Sequence, residues 1–159
     1  MPITDIAIAR LVHILGLIHW IGGLTFVTLV VLPSIRATDE PGDRISRFHA
    51  IEHRFAAQVR LSVLLVGLSG FYLTQQLHAW SRFGDPGFWW MHAMVALWTL
   101  FMVVLFVVEP FFGSWILARV GAGNGDRTID VMLRAHRVLL VLAVITVAGG
   151  LLGAHGALY

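Results

Sequence analysis

The chain has no cysteine and no lysine among its 159 residues. The absence of cysteine excludes disulfides, thiolate metal sites, iron–sulfur clusters and covalently attached c-type haem. Without lysine, all 11 basic residues are arginines, so arginine alone carries any bias in basic charge. Charged residues are scarce as well, at 13% of the chain, whereas soluble domains have about a quarter. The small net charge of +2 gives no support for nucleic-acid binding.

In place of charge, the chain has long apolar runs, and 58% of its residues are hydrophobic. The runs extend over Ile6 to Pro33, Phe55 to Leu77, Phe88 to Leu117 and Val131 to Leu152. Each reaches or exceeds the roughly 20 residues that an α-helix needs to cross about 30 Å of hydrocarbon. We therefore predict an all-α fold, an integral membrane four-helix bundle formed by one domain over residues 1–159. The predicted helices lie at about 5–33, 46–78, 87–118 and 128–156.

The distribution of arginine predicts the orientation of this bundle. We name the end that would hold both termini side A, and the end that would hold the connections near residues 40 and 123 side B. Side A carries Arg10 and Arg82, and side B carries Arg36, Arg44, Arg47, Arg54, Arg119, Arg127, Arg134 and Arg137. Short arginine-rich loops mark the cytoplasmic side. Segments 34–47 and 119–128 are therefore predicted to be cytoplasmic, with both termini on the outer (periplasmic) side of a bacterial inner membrane.

Eight histidines lie mostly inside or at the ends of these helices. Ionisable side chains are costly in lipid, so an intramembrane histidine is a candidate functional residue. His13 on the first helix and His92 on the third have similar predicted depths near side A. Two imidazoles at similar depth on facing helices can be the axial ligands of a b-type haem. We predict a haem b whose iron is held by His13 and His92.

The other histidines leave alternatives open. His53 and His136 form the nearest comparable pair near side B, which would make a second haem. His19 is either a ligand or a histidine bonded to a backbone carbonyl. His49, His78 and His155 lie at the predicted interfaces, where a solvated histidine is the ordinary alternative to a ligand.

Helical phase places some residues beside these histidines. His13 shares a helix face with Gly16, and His92 shares one with Ala96 and Thr99, so small residues would leave space for a flat macrocycle. On the second helix, polar and small residues form a stripe that we expect to face the interior: His53, Ala56, Ala57, Arg60, Leu64, Gly67, Phe71, Thr74 and His78.

Arg60 is a further candidate for the cofactor site. It lies about three turns inside the bundle from side B, where an unpaired guanidinium is costly. It needs an anion, and the choices are Glu109 of the third helix, a haem propionate or a substrate carboxylate. We also expect the first helix to end at Pro33 and Pro110 to kink the third helix near side B.

Three segments resemble a known group of membrane proteins. Leu11-Val12-His13-Ile14-Leu15-Gly16, with Trp20-Ile21-Gly22-Gly23-Leu24 and Leu32-Pro33, resembles the first helix of the CopD-like and HemJ-like proteins. The segment Arg47 to Phe55 is similar to the Glu-Arg-Arg helix start of HemJ-type protoporphyrinogen oxidases, and Trp90 to Met94 is similar to their third-helix histidine segment. The resemblance implies a four-helix membrane haem protein in which His13 is a haem ligand and His92 is functional at the same site.

The resemblance also carries two alternatives. HemJ-like relatives imply protoporphyrinogen oxidation, although Met94 stands where they have a lysine and no Asn-Glu segment occurs around Arg134 to Leu142. CopD-like relatives imply copper binding or transport, for which Met91 and Met94 beside His92 would be soft ligands of Cu(I).

The function expected from these observations is electron transfer or oxidoreduction by a membrane b-type haem protein. A membrane oxidoreductase linked to a quinone or to oxygen is one form of it, with a quinone or a membrane redox partner supplying or accepting electrons. Copper binding, protoporphyrinogen oxidation and a structural subunit of a membrane complex remain the alternatives. The lipid bilayer is the partner in every case, and a homo-oligomer is also open.

Overall fold

The computed structural model describes residues 3–38, 43–112 and 125–157 of the chain. Within these ranges, the side chains of some residues lie outside the description: Ile3, Thr4, Thr38, Ile45, His49, His53, Arg54, Phe112 and Asp126.

The described residues are almost all helical and contain no strand, which confirms the all-α class. The α-helices are α1 (Ile3–Phe26), α2 (Leu32–Thr38), α3 (Arg44–Gln76), α4 (Trp89–Val103) and α5 (Gly125–Ala154). Two π-helical segments, Val27–Val31 and Val104–Phe112, and two 3-10 turns, Ala79–Gly84 and Pro86–Phe88, complete the fold. Four stretches are long and apolar enough to cross a membrane: Asp5–Ala37, Phe55–Gln76, Pro86–Phe111 and Arg127–Ala154.

Both interior prolines lie in or next to a π-helical segment, and this corrects the predicted end of the first helix. The helical path continues beyond Pro33 to Thr38, with α2 following the π segment Val27–Val31 directly. Pro110 lies inside the second π segment. A proline lacks an N–H and its ring crowds the carbonyl four residues earlier, so a wider turn accommodates it without ending the helix. The predicted continuation of the third helix to residue 118 lies outside the described residues.

The remaining helix ends differ from the predicted ones by a few residues. The helix α3, which corresponds to the predicted second helix, begins at Arg44, and the Ser46 hydroxyl donates to the Asp43 carbonyl at 2.8 Å. It ends at Gln76, and His78 follows in the left-handed conformation with φ 51°. A residue in this conformation stops a helix, and glycine or asparagine is more usual there. The last helix, α5, ends at Ala154.

Glycines allow the helices to approach closely. A Cβ added to Gly16 of α1 would lie 2.9 Å from the Val66 side chain of α3. A Cβ added to Gly149 of α5 would lie 2.7 Å from the Trp89 ring, and one at Gly153 would overlap the Trp90 ring. Small residues at a helix interface favour this packing in lipid. Gly16 therefore makes room for α3 and not for a macrocycle.

The interior face of α3 agrees only in part with the polar stripe expected from the sequence, since Ala56 of that stripe is buried. Val59, Val63 and Val66 are buried, whereas Leu64 is 37% exposed and Phe71 is 64% exposed. The three valines each precede a residue of the predicted stripe by one position, a rotation of about 100°. The physical reason is the packing on Gly16 and its neighbours, where branched valines fill the groove.

Two buried clusters form most of the core. One lies in the middle of the bundle and contains Trp20, Leu24, Val59, Val63, Val66, Leu97, Phe101 and Ala143. The other lies toward side B and contains Val27, Val31, Leu32, Ile35, Phe48, Ile129 and Leu133.

Candidate functional site

His13 is held against α3 by one of its two ring nitrogens. Its Nδ1 lies 3.0 Å from the Val66 carbonyl oxygen and 3.1 Å from the Ser69 hydroxyl. Because a carbonyl only accepts, Nδ1 carries a proton, and in the neutral imidazole Nε2 keeps its lone pair. Among the described residues, Nε2 makes no hydrogen bond. A metal-binding histidine has this arrangement, with one nitrogen donating to a carbonyl and the other on the metal.

His92 has different surroundings from His13. Its Nε2 donates to the Phe83 carbonyl in the 3-10 turn at 3.0 Å, and the Phe83 ring meets it edge-on at 5.2 Å. His92, Ala96 and Thr99 are all exposed, so this face of α4 is turned away from the helices described. The structure thus directs the two imidazoles at different elements, and their role as a ligand pair stays a prediction.

The residues offered for copper are distributed around α4. Met91 is buried with Trp90 and Ala79. The Met94 sulfur lies beside Gly150 of α5, 3.3 Å from the position of an added Cβ. Since His92 is on the exposed side, the three candidate ligands do not converge. Among the described residues, no group of three or more histidine or acidic side chains could hold a metal ion.

The other described histidines bond to nearby groups. The Nδ1 atom of His19 lies 2.8 Å from the Ser62 hydroxyl, so its partner is a side chain and not the expected backbone carbonyl. His136 and His155 each donate Nδ1–H to the carbonyl four residues earlier in α5, at 2.9 Å and 2.8 Å. The side chains of His53 and His49 lie outside the described residues, so the predicted pair of His53 and His136 also stays a prediction.

Arg60 pairs with Glu109, which was the first of the three anions predicted for it. Its Nη2 donates to Glu109 Oε1 at 3.0 Å, and its Nε donates to the Leu105 carbonyl at 3.0 Å. In a π-helical segment, the N–H of residue 110 would donate to the carbonyl of residue 105. Pro110 has no N–H. Arg60 therefore supplies the hydrogen bond that the proline cannot make, and holds Glu109 at the same time.

A cavity of about 90 Å³ lies between the two core clusters, next to this ion pair. Both π segments contribute to its wall, through Val27 and Val31 of the first and Leu105 and Glu109 of the second. Its other lining residues include an aromatic set and two polar groups: Trp20, Phe48, Phe55, Phe101, Glu52 and His136. Since π-helical turns often occur at functional sites, their meeting at one cavity marks it as a candidate binding site.

Glu52 gives the cavity a carboxyl group that is an unusually weak acid. Burial, reinforced by the nearby carboxylate of Glu109, raises the pKa of Glu52 to about 7. Strongly shifted groups beside a cavity are typical of functional sites. Sequence reasoning did not select Glu52 as a site residue, although an acid at the border of an apolar helix was an available signal.

Trp20 adds a donor without an acceptor to the same wall. Its side chain is 2% exposed, and its indole Nε1 has no hydrogen-bond partner among the described residues. A buried N–H that stays unpaired is unfavourable and rare. The cavity thus combines apolar aromatic surfaces with an indole donor, two carboxyl groups and an imidazole.

No family model, no curated protein and no solved structure matches this chain. The resemblance of its first three helices to the CopD-like and HemJ-like proteins therefore stays a prediction from the residues quoted above. The class of protein that the structure defines is an all-helical chain with four helices long and apolar enough to cross a membrane.

Proposed function

We propose that this chain is a multi-pass membrane protein that binds a b-type haem through His13 and transfers electrons. The observation that carries the proposal is the hydrogen bond from His13 Nδ1 to the Val66 carbonyl at 3.0 Å. This bond orients the imidazole, keeps the lone pair on Nε2 and raises the basicity of that nitrogen, as in metal sites of proteins. When bound, the haem would supply the one-electron couple of its iron.

The donor chemistry of the residues present fits one axial ligand well. His13 lies within an apolar span and is half-buried, which lowers the access of water to Nε2. His92 is the candidate second ligand, and its Nδ1 makes no hydrogen bond among the described residues. Keeping its bond to Phe83 through Nε2–H would leave the Nδ1 lone pair for iron.

The arginine bias supports the orientation that we propose with this function. Arg44, Arg47 and Arg127 lie at the side-B end of their helices, whereas the 3-10 turn at side A holds Arg82. By the positive-inside rule, side B would be cytoplasmic and both termini periplasmic in a bacterial inner membrane.

The experiment is a pyridine-haemochrome assay and a reduced-minus-oxidised spectrum of the detergent-purified chain. Copper is quantified on the same sample. We expect a b-type spectrum in the wild type and its loss in His13→Ala. His155→Ala is the matched control, because His155 follows α5 directly, is exposed, and bonds through its Nδ1 to the Leu151 carbonyl. It should leave the spectrum unchanged.

Three results would contradict the proposal. They are a colourless wild type, a haem spectrum that persists in His13→Ala, and an equal loss of the haem spectrum in His13→Ala and His155→Ala. Copper in a colourless protein would favour the copper alternative. A spectrum that changes in His92→Ala, by loss or by a shift to a high-spin form, would assign His92 as the second ligand.

A further inference from the structure

The cavity opens sideways from the bundle. Its lining includes Ile51, which is 42% exposed, and Phe55. The same two residues also line a crevice on the outer surface of α3, together with Ala50 and Gln58. Phe55 begins the second apolar span, so the opening lies at the boundary of the membrane-length segment. A molecule dissolved in the bilayer could reach the cavity there, between Ile51 and Phe55.

The walls favour a flat ring. The Trp20 and Phe101 rings meet edge-to-face at 4.8 Å between centroids, and the Phe48 ring meets His136 in the same way at 6.2 Å. Aromatic walls of this kind stack on or border another ring. A cavity of about 150 Å³ admits benzene. In one of about 90 Å³ that opens on one side, a ring would sit with an edge in the mouth.

The polar atoms of the wall favour a ring that carries oxygen. Among the residues that the structure describes, the Trp20 Nε1–H has no acceptor. On another side, His136 donates Nδ1–H to Met132, which leaves Nε2 as an acceptor in the neutral imidazole. The carboxyl group of Glu52 lies at the same cavity. A carbonyl oxygen would satisfy the indole, and a hydroxyl could bond to the imidazole or the carboxyl group.

We propose that this cavity binds the ring of a lipophilic quinone, with the Trp20 indole donating a hydrogen bond to a ring carbonyl. The site is distinct from the histidine proposed to bind haem, and binding needs no haem. A quinone would be a membrane-soluble electron partner of the proposed function. Because binding and haem content are measured separately on one sample, failure of either proposal is recognisable by itself.

The test is equilibrium binding of decylubiquinone to the detergent-purified full chain, with decylbenzene as the ring that lacks oxygen. We expect saturable binding of the quinone. Decylbenzene should bind at least about tenfold more weakly, because it cannot form the one or two hydrogen bonds of the quinone oxygens. Trp20→Phe should weaken quinone binding by about three- to tenfold while keeping the aromatic wall. Trp90→Phe is the matched control, since the Trp90 indole is also buried with no hydrogen-bond partner in the described part of the chain, but lies against Gly153 at side A.

A second pair of variants tests the cavity itself. Ala56 is buried and lines the cavity, whereas Ala57 is its exposed neighbour on α3. Ala56→Leu should abolish quinone binding and Ala57→Leu should leave it within twofold of the wild type, with melting temperatures recorded for both. Absence of saturable binding, equal affinity for the quinone and decylbenzene, or equal effects of Trp20→Phe and Trp90→Phe would overturn the inference. So would unaltered binding in a folded Ala56→Leu protein.

Discussion

Replacing Arg60 by methionine should destabilise the protein by about 2–3 kcal/mol, because this side chain satisfies two separate groups. Its Nε donates to the carbonyl of Leu105, and its Nη2 pairs with Glu109. Methionine keeps the unbranched aliphatic stem and removes both donors. The carbonyl would then lack its partner, and Glu109 would face the cavity without its guanidinium.

The magnitude follows from the exposure of the pair. The side chains of Arg60 and Glu109 are 33% and 29% exposed, so the pair is neither fully buried nor free in solvent. Breaking a buried pair costs about 3–5 kcal/mol, and an exposed pair is worth about 0.2–1 kcal/mol. We assign about 1–2 kcal/mol to the ion pair after screening by solvent, and about 1 kcal/mol to the carbonyl left unpaired.

The assay is equilibrium unfolding in mixed detergent micelles, applied as a double-mutant cycle with Arg60→Met and Glu109→Gln. We expect Glu109→Gln to cost about 1 kcal/mol, because Arg60 keeps its bond to Leu105. The coupling energy between the two sites should be about 1 kcal/mol. The control is the pair of Arg36 and Asp130, which approach to 2.8 Å but whose side chains are 51% and 29% exposed. Arg36→Met should cost less than about 1 kcal/mol.

The reasoning would be refuted if Arg60→Met changed stability by less than Arg36→Met, or if the cycle gave no coupling. The first result would mean that the Leu105 carbonyl finds another donor. The second would mean that Arg60 and Glu109 contribute independently.

Two further predictions concern the walls of the cavity. Because the pKa of Glu52 rises to about 7 in the folded chain, from about 4.3 in an unfolded one, stability should fall as pH increases through this window. Glu52→Gln should remove that fall in stability. In thermal melting, the variant should be more stable than the wild type at pH 8, by on the order of 1 kcal/mol, and equally stable at pH 4. A variant less stable than the wild type at pH 8 would contradict this. Gly23→Ala should cost about 1–3 kcal/mol of stability because the added Cβ would overlap the Phe55 ring. At Gly22 an added Cβ would meet no described atom within 4 Å, so Gly22→Ala should stabilise α1 by up to about 1 kcal/mol. Equal effects of the two variants in a melting experiment would refute the packing of Phe55 on Gly23.

The number and approximate position of the helices could be predicted because membrane-length apolar runs are a direct physical requirement. The anion of Arg60 was also among those expected, since a guanidinium at that depth needs one and Glu109 was a nearby choice. Gly149 and Gly153 are small residues four apart in the sequence, a spacing that favours close helix approach in lipid. These features depend on length, charge and size, which can be read position by position.

The rotation of each helix could not be predicted in the same way. A helix that is apolar on all sides has little contrast between its faces, so the periodicity that orients a soluble helix is weak. His92 and Thr99 therefore suggested an interior face of α4 that is exposed in the structure. On α3 the valines, which carry no polar signal, fill much of the interior, whereas Leu64 and Phe71 of the predicted stripe are exposed.

The prolines explain why the candidate site was predicted only in part, through Arg60, Glu109 and His136. Sequence rules treat Pro33 and Pro110 as an end and a kink, whereas here each is accommodated by a π-helical segment. A π turn contains about one residue more than an α turn, so it shifts the phase of the residues around it by about 100°. A carbonyl freed by Pro110 becomes the anchor of Arg60, which also holds Glu109. The cavity thus lies where two segments depart from regular helix geometry. Hydrophobic periodicity does not predict such departures, and they are where function is expected.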